Sequence, residues 1–175
     1  MNKALVIGCS GAGKSTFARE LARITGLPLI HLDQLFWREG WAATDPAKWR
    51  AITAHLLTQD RWIIDGNFTG TMEQRIAAAD VVYFFDLPRW FCLWRLAQRY
   101  LQWHGRARAD MSPGCPERIE WEFLKYVWTF NARERPKIVE RLTNMPDKVI
   151  VFKAARDVAR YLAAPVHQPG MAVTP

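Results

Sequence analysis

Gly8-Cys9-Ser10-Gly11-Ala12-Gly13-Lys14-Ser15 is the stretch on which the reading of this chain turns, with Thr16 directly after it. An apolar run, Ala4-Leu5-Val6-Ile7, precedes it, and Phe17, Leu21 and Ile24 follow at helical spacing. Gly, four residues, Gly-Lys-Ser between a strand and a helix is the signature of a phosphate-binding loop. Glycines let the backbone turn tightly and bring a row of N–H groups against phosphate oxygens. The helix N-terminus adds its positive dipole end. Lys14 is placed to reach the transferable phosphate, and the Ser15 hydroxyl suits Mg²⁺. Gly8, Cys9, Ser10, Gly11, Ala12, Gly13, Lys14, Ser15 and Thr16 are therefore the expected nucleotide-binding residues. A glycine-rich turn that merely joins strand to helix is outweighed, because pattern and context agree. The stretch reads as a nucleoside triphosphate site.

Outward from the loop, strands alternate with helices. The helix from Lys14 to about Thr25 stops at Gly26, and Pro28 blocks its continuation. Leu29 to Leu32 reads as a second strand ending at Asp33, followed by an aromatic, irregular segment through Trp41. Asp45 before Pro46 starts a helix. Arg61 to Ile64 is a third strand closed by Asp65-Gly66, and a helix through Met72 to Ala79 leads into Val81–Phe85. That continuous apolar run is typical of a buried parallel strand. A helix from Pro88 to about Trp103, a loop from His104 to Pro116 holding Arg106 and Arg108, and a helix from Glu117 that Pro136 breaks come next. Lys148–Phe152 is a fifth strand and Arg156–Ala163 a last helix. The order predicts a three-layer α/β/α domain over residues 1–163 around a five-stranded parallel sheet, with a lid insertion at about 100–136. Its ligands belong at the carboxyl ends of the strands. The Pro-, Gly- and Ala-rich residues 164–175 read as a disordered tail.

Composition narrows the partners. The chain has 175 residues, half of them hydrophobic and nine of them tryptophan, with a formal charge of +7. An excess of positive charge fits phosphorylated small molecules as well as DNA, so it does not choose between them. Cys9, Cys92 and Cys115 are odd in number and lack metal-ligand spacing, which reads as free thiols in a reducing cytoplasm. The N-terminus carries no signal pattern, no apolar run is long enough to span a membrane, and monomer and homodimer both remain open.

Three carboxylates fall at expected strand ends. Asp65 closes an apolar strand and is the candidate to hold Mg²⁺, directly or through water; a turn aspartate before Gly66 is the competing reading. Asp33 either accepts from a substrate hydroxyl or caps the next segment. Asp86, two residues before Pro88, suits a helix start. Arg95 and Arg99 lie four apart on one helix, so they share a face, and fork-shaped guanidinium groups suit the charge that builds up in phosphoryl transfer. Between Arg95 and Arg141 there are ten basic and six acidic residues, which also fits a solvated face. Arg133 and Arg135 stand just before Pro136, a natural hinge. The paired tryptophans Trp90/Trp94 and Trp121/Trp128 read as core or lid packing. Trp37 and Trp41 read as a stacking wall.

With these pieces in place the chain resembles a P-loop kinase of the adenylate-kinase-like group. The segments GCSGAGKST, LPLIHLDQLFWREGW, RWIIDGNF, FFDLPRWFCLWR and GCPER together resemble the bacterial DNA topology modulation proteins over roughly residues 3–162. The resemblance implies a mobile substrate-binding segment and an arginine-bearing lid. Lys14 and Ser15 fall on the phosphate-loop Lys and Ser/Thr, and Asp65-Gly66 on the Asp-Gly that ends the third strand near metal and acceptor. Arg95 and Arg99 match the spacing of two catalytic arginines after FD(V/L)P. Arg133 and Arg135 match later lid arginines, Arg75 the acceptor-phosphate arginine, and Arg156 a segment that contacts the base. His31-Leu32-Asp33 departs from the Ser/Thr-Gly-Asp of adenylate kinases. It points away from AMP and toward small hydroxylated acceptors, as in shikimate kinases.

The resulting expectation is an ATP- and Mg²⁺-dependent phosphotransferase. Its catalytic residues are Lys14, Arg95, Arg99, Arg133 and Arg135, and its acceptor residues are Asp33, Trp37, Arg38, Gly66 and Arg75. The rival expectation is a nucleotide-dependent regulator that binds DNA through its basic helices. No Asn-Lys-x-Asp motif for guanine is present.

Overall fold

Ala4, Leu5, Val6 and Ile7 have no exposed surface, because β1 (Lys3–Gly8) is the middle strand of a sheet. The computed structural model describes residues 1–105, 110–118 and 120–164. After β1 come α1 (Lys14–Thr25), β2 (Leu29–His31), the short α2 (Leu32–Phe36), α3 (Pro46–Leu57) and β3 (Trp62–Asp65). The second half holds α4 (Thr69–Ala78), β4 (Val81–Phe85), α5 (Arg89–Trp103), α6 (Trp121–Arg133), α7 (Arg135–Thr143), β5 (Val149–Phe152) and α8 (Ala155–Ala163). The spatial strand order is β2-β3-β1-β4-β5, all parallel. Helices cover the sheet in a three-layer α/β arrangement, as the alternation of elements predicts.

The residue types explain the packing. Phe17, on α1, sits edge-on to Tyr83, Phe85 and Phe152 with ring centroids 4.8, 5.4 and 5.4 Å away. Burying one such ring contributes about 2–3 kcal/mol. Both expected helix boundaries around α1 hold: Gly26 is left-handed at φ 66° and its N–H closes the last turn on Ala22. Asp45 caps α3 by accepting from the N–H groups of Ala47 and Lys48.

Three local expectations are corrected, and the expected break before Pro136 is met. β2 ends at His31, so Asp33 lies in the first turn of α2 instead of at a strand end. Glu117, Arg118 and Glu120 are not helical: Glu117 bridges His104, and α6 begins at Trp121. The helix break lies at Glu134, two residues before Pro136, whose ring opposes the turn before it. Trp94 and Trp121 are 56% and 75% exposed and so are not core. Trp90 meets Trp128 edge-on at 4.7 Å, and Trp94 lies tilted on Phe91 at 6.1 Å. Arg106, Arg108 and the tail beyond Ala164 lie outside the described residues.

Candidate functional site

The loop after β1 is set by close approach on both of its flanks. Gly8 has φ 134°, and a Cβ there would meet the Phe85 carbonyl oxygen at 2.4 Å. Gly11 has φ 83°, and a Cβ would meet the Cys92 carbonyl oxygen at 2.4 Å, in the first turn of α5. Any side chain at either position forces the loop off β4 or α5. Lys14 folds back and donates from Nζ to the Cys9 carbonyl at 2.9 Å. The Cys9 thiol is buried beneath this loop, and its hydrogen bond with Cys92 together with burial pushes it up, so it is a neutral thiol.

A cavity of about 750 Å³ opens in front of the loop. Ser10, Gly11, Gly13, Lys14, Ser15 and Thr16 of the loop line it. So do Asp33, Trp37, Trp41 and Phe68, Arg95 and Arg99 on α5, and Phe123 and Tyr126 on α6. Gly8, Cys9 and Ala12 are buried behind the loop. Trp37 and Trp41 meet edge-to-face at 5.6 Å, and both line the cavity.

Asp65 and Gly66 are also in the wall. The Asp65 carboxylate is 5% exposed. Its Oδ2 is 2.9 Å from His31 Nδ1, and its Oδ1 is buried with no hydrogen-bond partner among the described residues. A buried carboxylate oxygen left unpaired at a cavity wall fits a cation ligand, so the residues suit a hard divalent ion held with the Ser15 hydroxyl.

The arginines separate. Arg95 and Arg99 point to the cavity; Arg99 pairs with the buried Glu117 at 2.7 Å. Arg135 does not: its Nε and Nη2 donate to both oxygens of Asp86 at 2.6 and 2.8 Å. It therefore ties the start of α7 to the end of β4, and it leaves the catalytic set. Asp86 correspondingly makes no cap on α5. Arg133 is exposed in the last turn of α6, away from the cavity wall. Arg156 is exposed in the first turn of α8, also outside that wall.

Arg75 is the largest correction. It has no exposed surface and donates to the carbonyls of Gly66 at 2.7 Å, Phe68 at 2.9 Å, Thr71 at 3.3 Å, and Asn67. Burial lowers its guanidinium to about 9. Backbone oxygens take four of its five N–H groups, and with no exposed surface and no place in the cavity wall it is not presented to an acceptor phosphate. Arg38 likewise donates to the Ala43 carbonyl at 2.9 Å, closing its own two-residue hairpin (Trp37–Arg38 with Ala42–Ala43).

Two features were missed by sequence reasoning. Asn67 binds both backbone groups of Gly8: Oδ1 accepts from its N–H at 2.9 Å and Nδ2 donates to its carbonyl at 2.8 Å. The segment around Cys115 docks on the Trp37–Trp41 region. Gly40 N–H donates to Gly114 at 3.1 Å, and Trp41 Nε1 donates to the Pro116 carbonyl at 3.2 Å. The only sequence signal for the second was that both stretches are aromatic or turn-rich.

No protein-family model matches the chain, and no curated protein matches it in sequence. Solved structures do share its fold. A gluconokinase from Sinorhizobium meliloti 1021 is 17% identical, with a TM-score of 0.54 over 92% of this chain and 87% of its own. A shikimate kinase from Acinetobacter baumannii, in complex with shikimate, is 16% identical with a TM-score of 0.53 over 91% and 89%. A shikimate kinase from Bacteroides thetaiotaomicron is 16% identical with a TM-score of 0.51 over 92% and 94%. Five parallel strands, a phosphate loop after the central one, and these neighbours together give the chain the fold of the P-loop kinases.

Proposed function

We propose that the chain is an ATP-dependent phosphotransferase acting on a small hydroxylated acceptor. One observation carries this reading: a single cavity is lined both by the phosphate loop with Lys14 and Ser15 and by Asp33 and Trp37. In the balanced reaction the γ-phosphoryl group passes from ATP to an acceptor hydroxyl, giving ADP, a phosphate ester and a proton. Lys14 and the loop N–H groups bind the phosphates. Ser15 and Asp65 are the residues that would hold Mg²⁺, which when bound supplies charge neutralisation on the phosphate oxygens. Arg95 and Arg99 stabilise charge on the migrating group, and Asp33 orients the acceptor hydroxyl. Positioning and electrostatics carry the rate in this class of reaction.

Arg75 supports an acceptor without a phosphate of its own. The arginine that would meet an acceptor phosphate is enclosed by four backbone carbonyls, and the acceptor side presents the carboxylate of Asp33. A carboxylate favours a hydroxyl donor over a second phosphate. The solved neighbours named for gluconate and shikimate kinases support the same class. The resemblance to DNA topology modulation proteins adds a rival, a nucleotide-dependent DNA binder. Against it, Arg95 and Arg99 of the basic α5 face the cavity and not an outer surface.

The test is ATP consumption by the purified protein with Mg²⁺ against sugar acids, other polyols, nucleosides and nucleoside monophosphates. Stimulation by a hydroxylated, phosphate-free acceptor, lost in Lys14→Ala, is the expected result. Stimulation confined to nucleoside monophosphates overturns the acceptor class. ATP-dependent, salt-sensitive binding of supercoiled DNA without any stimulation favours the rival.

A further inference from the structure

Residues Gly66, Asn67 and Phe68, just after β3, connect three parts of the site. Asn67 grips the Gly8 backbone at both its N–H and its carbonyl. The second Nδ2 proton of Asn67 goes to the Tyr126 hydroxyl on α6 at 3.3 Å. Phe68 packs on Phe36 at 4.7 Å and on Trp49 at 4.8 Å, and Phe36 packs on Trp37 of the acceptor wall at 4.9 Å. Phe68 holds φ 39°, a left-handed conformation that a bulky side chain adopts at a cost. The buried Arg75, bonded to all three carbonyls, keeps the turn in that shape.

We propose that Asn67 is a positioning residue of the phosphoryl-transfer site, setting the backbone where the phosphate loop leaves β1 and linking that setting to α6 through Tyr126. The proposal rests on the phosphotransferase reading and extends it. Its chemistry is specific to a carboxamide. Gly8 offers a donor and an acceptor side by side, and a carboxamide complements both at once. It still has a second N–H for Tyr126, whose hydroxyl burial pushes up to about 12, so it stays a neutral acceptor and donor. An ionised carboxylate of the same shape turns an oxygen on the Gly8 carbonyl and repels it. A protonated one donates there again.

MgADP binding, measured by calorimetry, tests this without knowledge of the acceptor. Asn67→Ala and Asn67→Asp are expected to weaken MgADP about tenfold or more, the loss of two bonds around one peptide. Tyr126→Phe is expected to give a smaller loss that nearly disappears in the Asn67→Ala background, since the two act through one bond. A merely structural role gives Asn67 and Tyr126 losses that add. Wild-type affinity in N67A and N67D, while Lys14→Ala loses MgADP, overturns the proposal and leaves the phosphate-loop reading standing. So does full additivity of the Asn67 and Tyr126 losses. Absence of MgADP binding by the wild-type protein fails the phosphotransferase reading, and this inference with it. Should N67A not fold, N67D and Y126F carry the same test.

Discussion

His31 and Asp65 occupy the paired last positions of adjacent parallel strands, with ring Nδ1 and carboxylate Oδ2 2.9 Å apart and both side chains less than a tenth exposed. The ring holds Asp65 through one oxygen, and the other is buried with no hydrogen-bond partner among the described residues. His31→Phe removes the one described partner of a buried carboxylate. It is expected to cost about 1–3 kcal/mol and to raise the Mg²⁺ concentration that supports half-maximal ATP turnover. Thermal unfolding and a Mg²⁺ titration check the two effects; an unchanged Mg²⁺ midpoint removes His31 from the metal argument.

Arg75→Met keeps the volume and discards four hydrogen bonds to buried carbonyls. A loss on the order of 4 kcal/mol is expected, in the range reserved for broken buried polar networks. Denaturant titration reads it. A loss below about 1 kcal/mol contradicts the clamp, because those carbonyls then have other partners.

Arg135→Ala separates a structural arginine from a catalytic one. Asp86 is 12% exposed at its side chain and loses both donors, while solvent around the 41% exposed Arg135 reduces the cost. About 1 kcal/mol is expected, or about 2–4 °C in the unfolding midpoint for a chain of this size. ATP turnover per folded molecule stays near wild type. A hundredfold fall in turnover returns Arg135 to the catalytic set.

Asp80 gives a pH prediction. Burial raises its carboxyl, but the N–H groups of Asn2 and Lys3, at 2.6 and 3.0 Å, and the amino-terminal charge outweigh this and hold it below its ordinary 3.8. A carboxyl depressed by folding stabilises above its unfolded value, and that contribution disappears as the pH falls through the folded one. Asp80→Asn is expected to destabilise at neutral pH by about 1 kcal/mol after allowance for solvent screening. The difference from wild type shrinks as the pH falls below 3.8. Unfolding curves at neutral and at acid pH measure it.

Most of the fold was legible because its signals are local. The Gly-Lys-Ser loop, Gly26 after α1, Asp45-Pro46 before α3 and the apolar run Val81–Phe85 each state their conformation within a few residues. The arginines were less legible, since spacing says that two side chains share a face but not what that face meets. Arg95 and Arg99 share a face that meets the cavity. Arg75 and Arg135 carry the same charge and are consumed elsewhere, one by backbone carbonyls and one by Asp86. Asn67 carried no signal, because a single carboxamide after Asp-Gly is indistinguishable from an ordinary turn residue.

By itself the sequence determined a parallel α/β domain with a triphosphate loop at the end of its first strand. Periodicity, glycine placement and helix caps are short-range physics, and they suffice for that. The tertiary structure alone decided which charges are available for chemistry, and that Gly114–Pro116 closes on Gly40–Trp41 some 75 residues away. Hydrogen bonds and ion pairs are satisfied by whatever the fold brings within about 3 Å, and no local pattern records that.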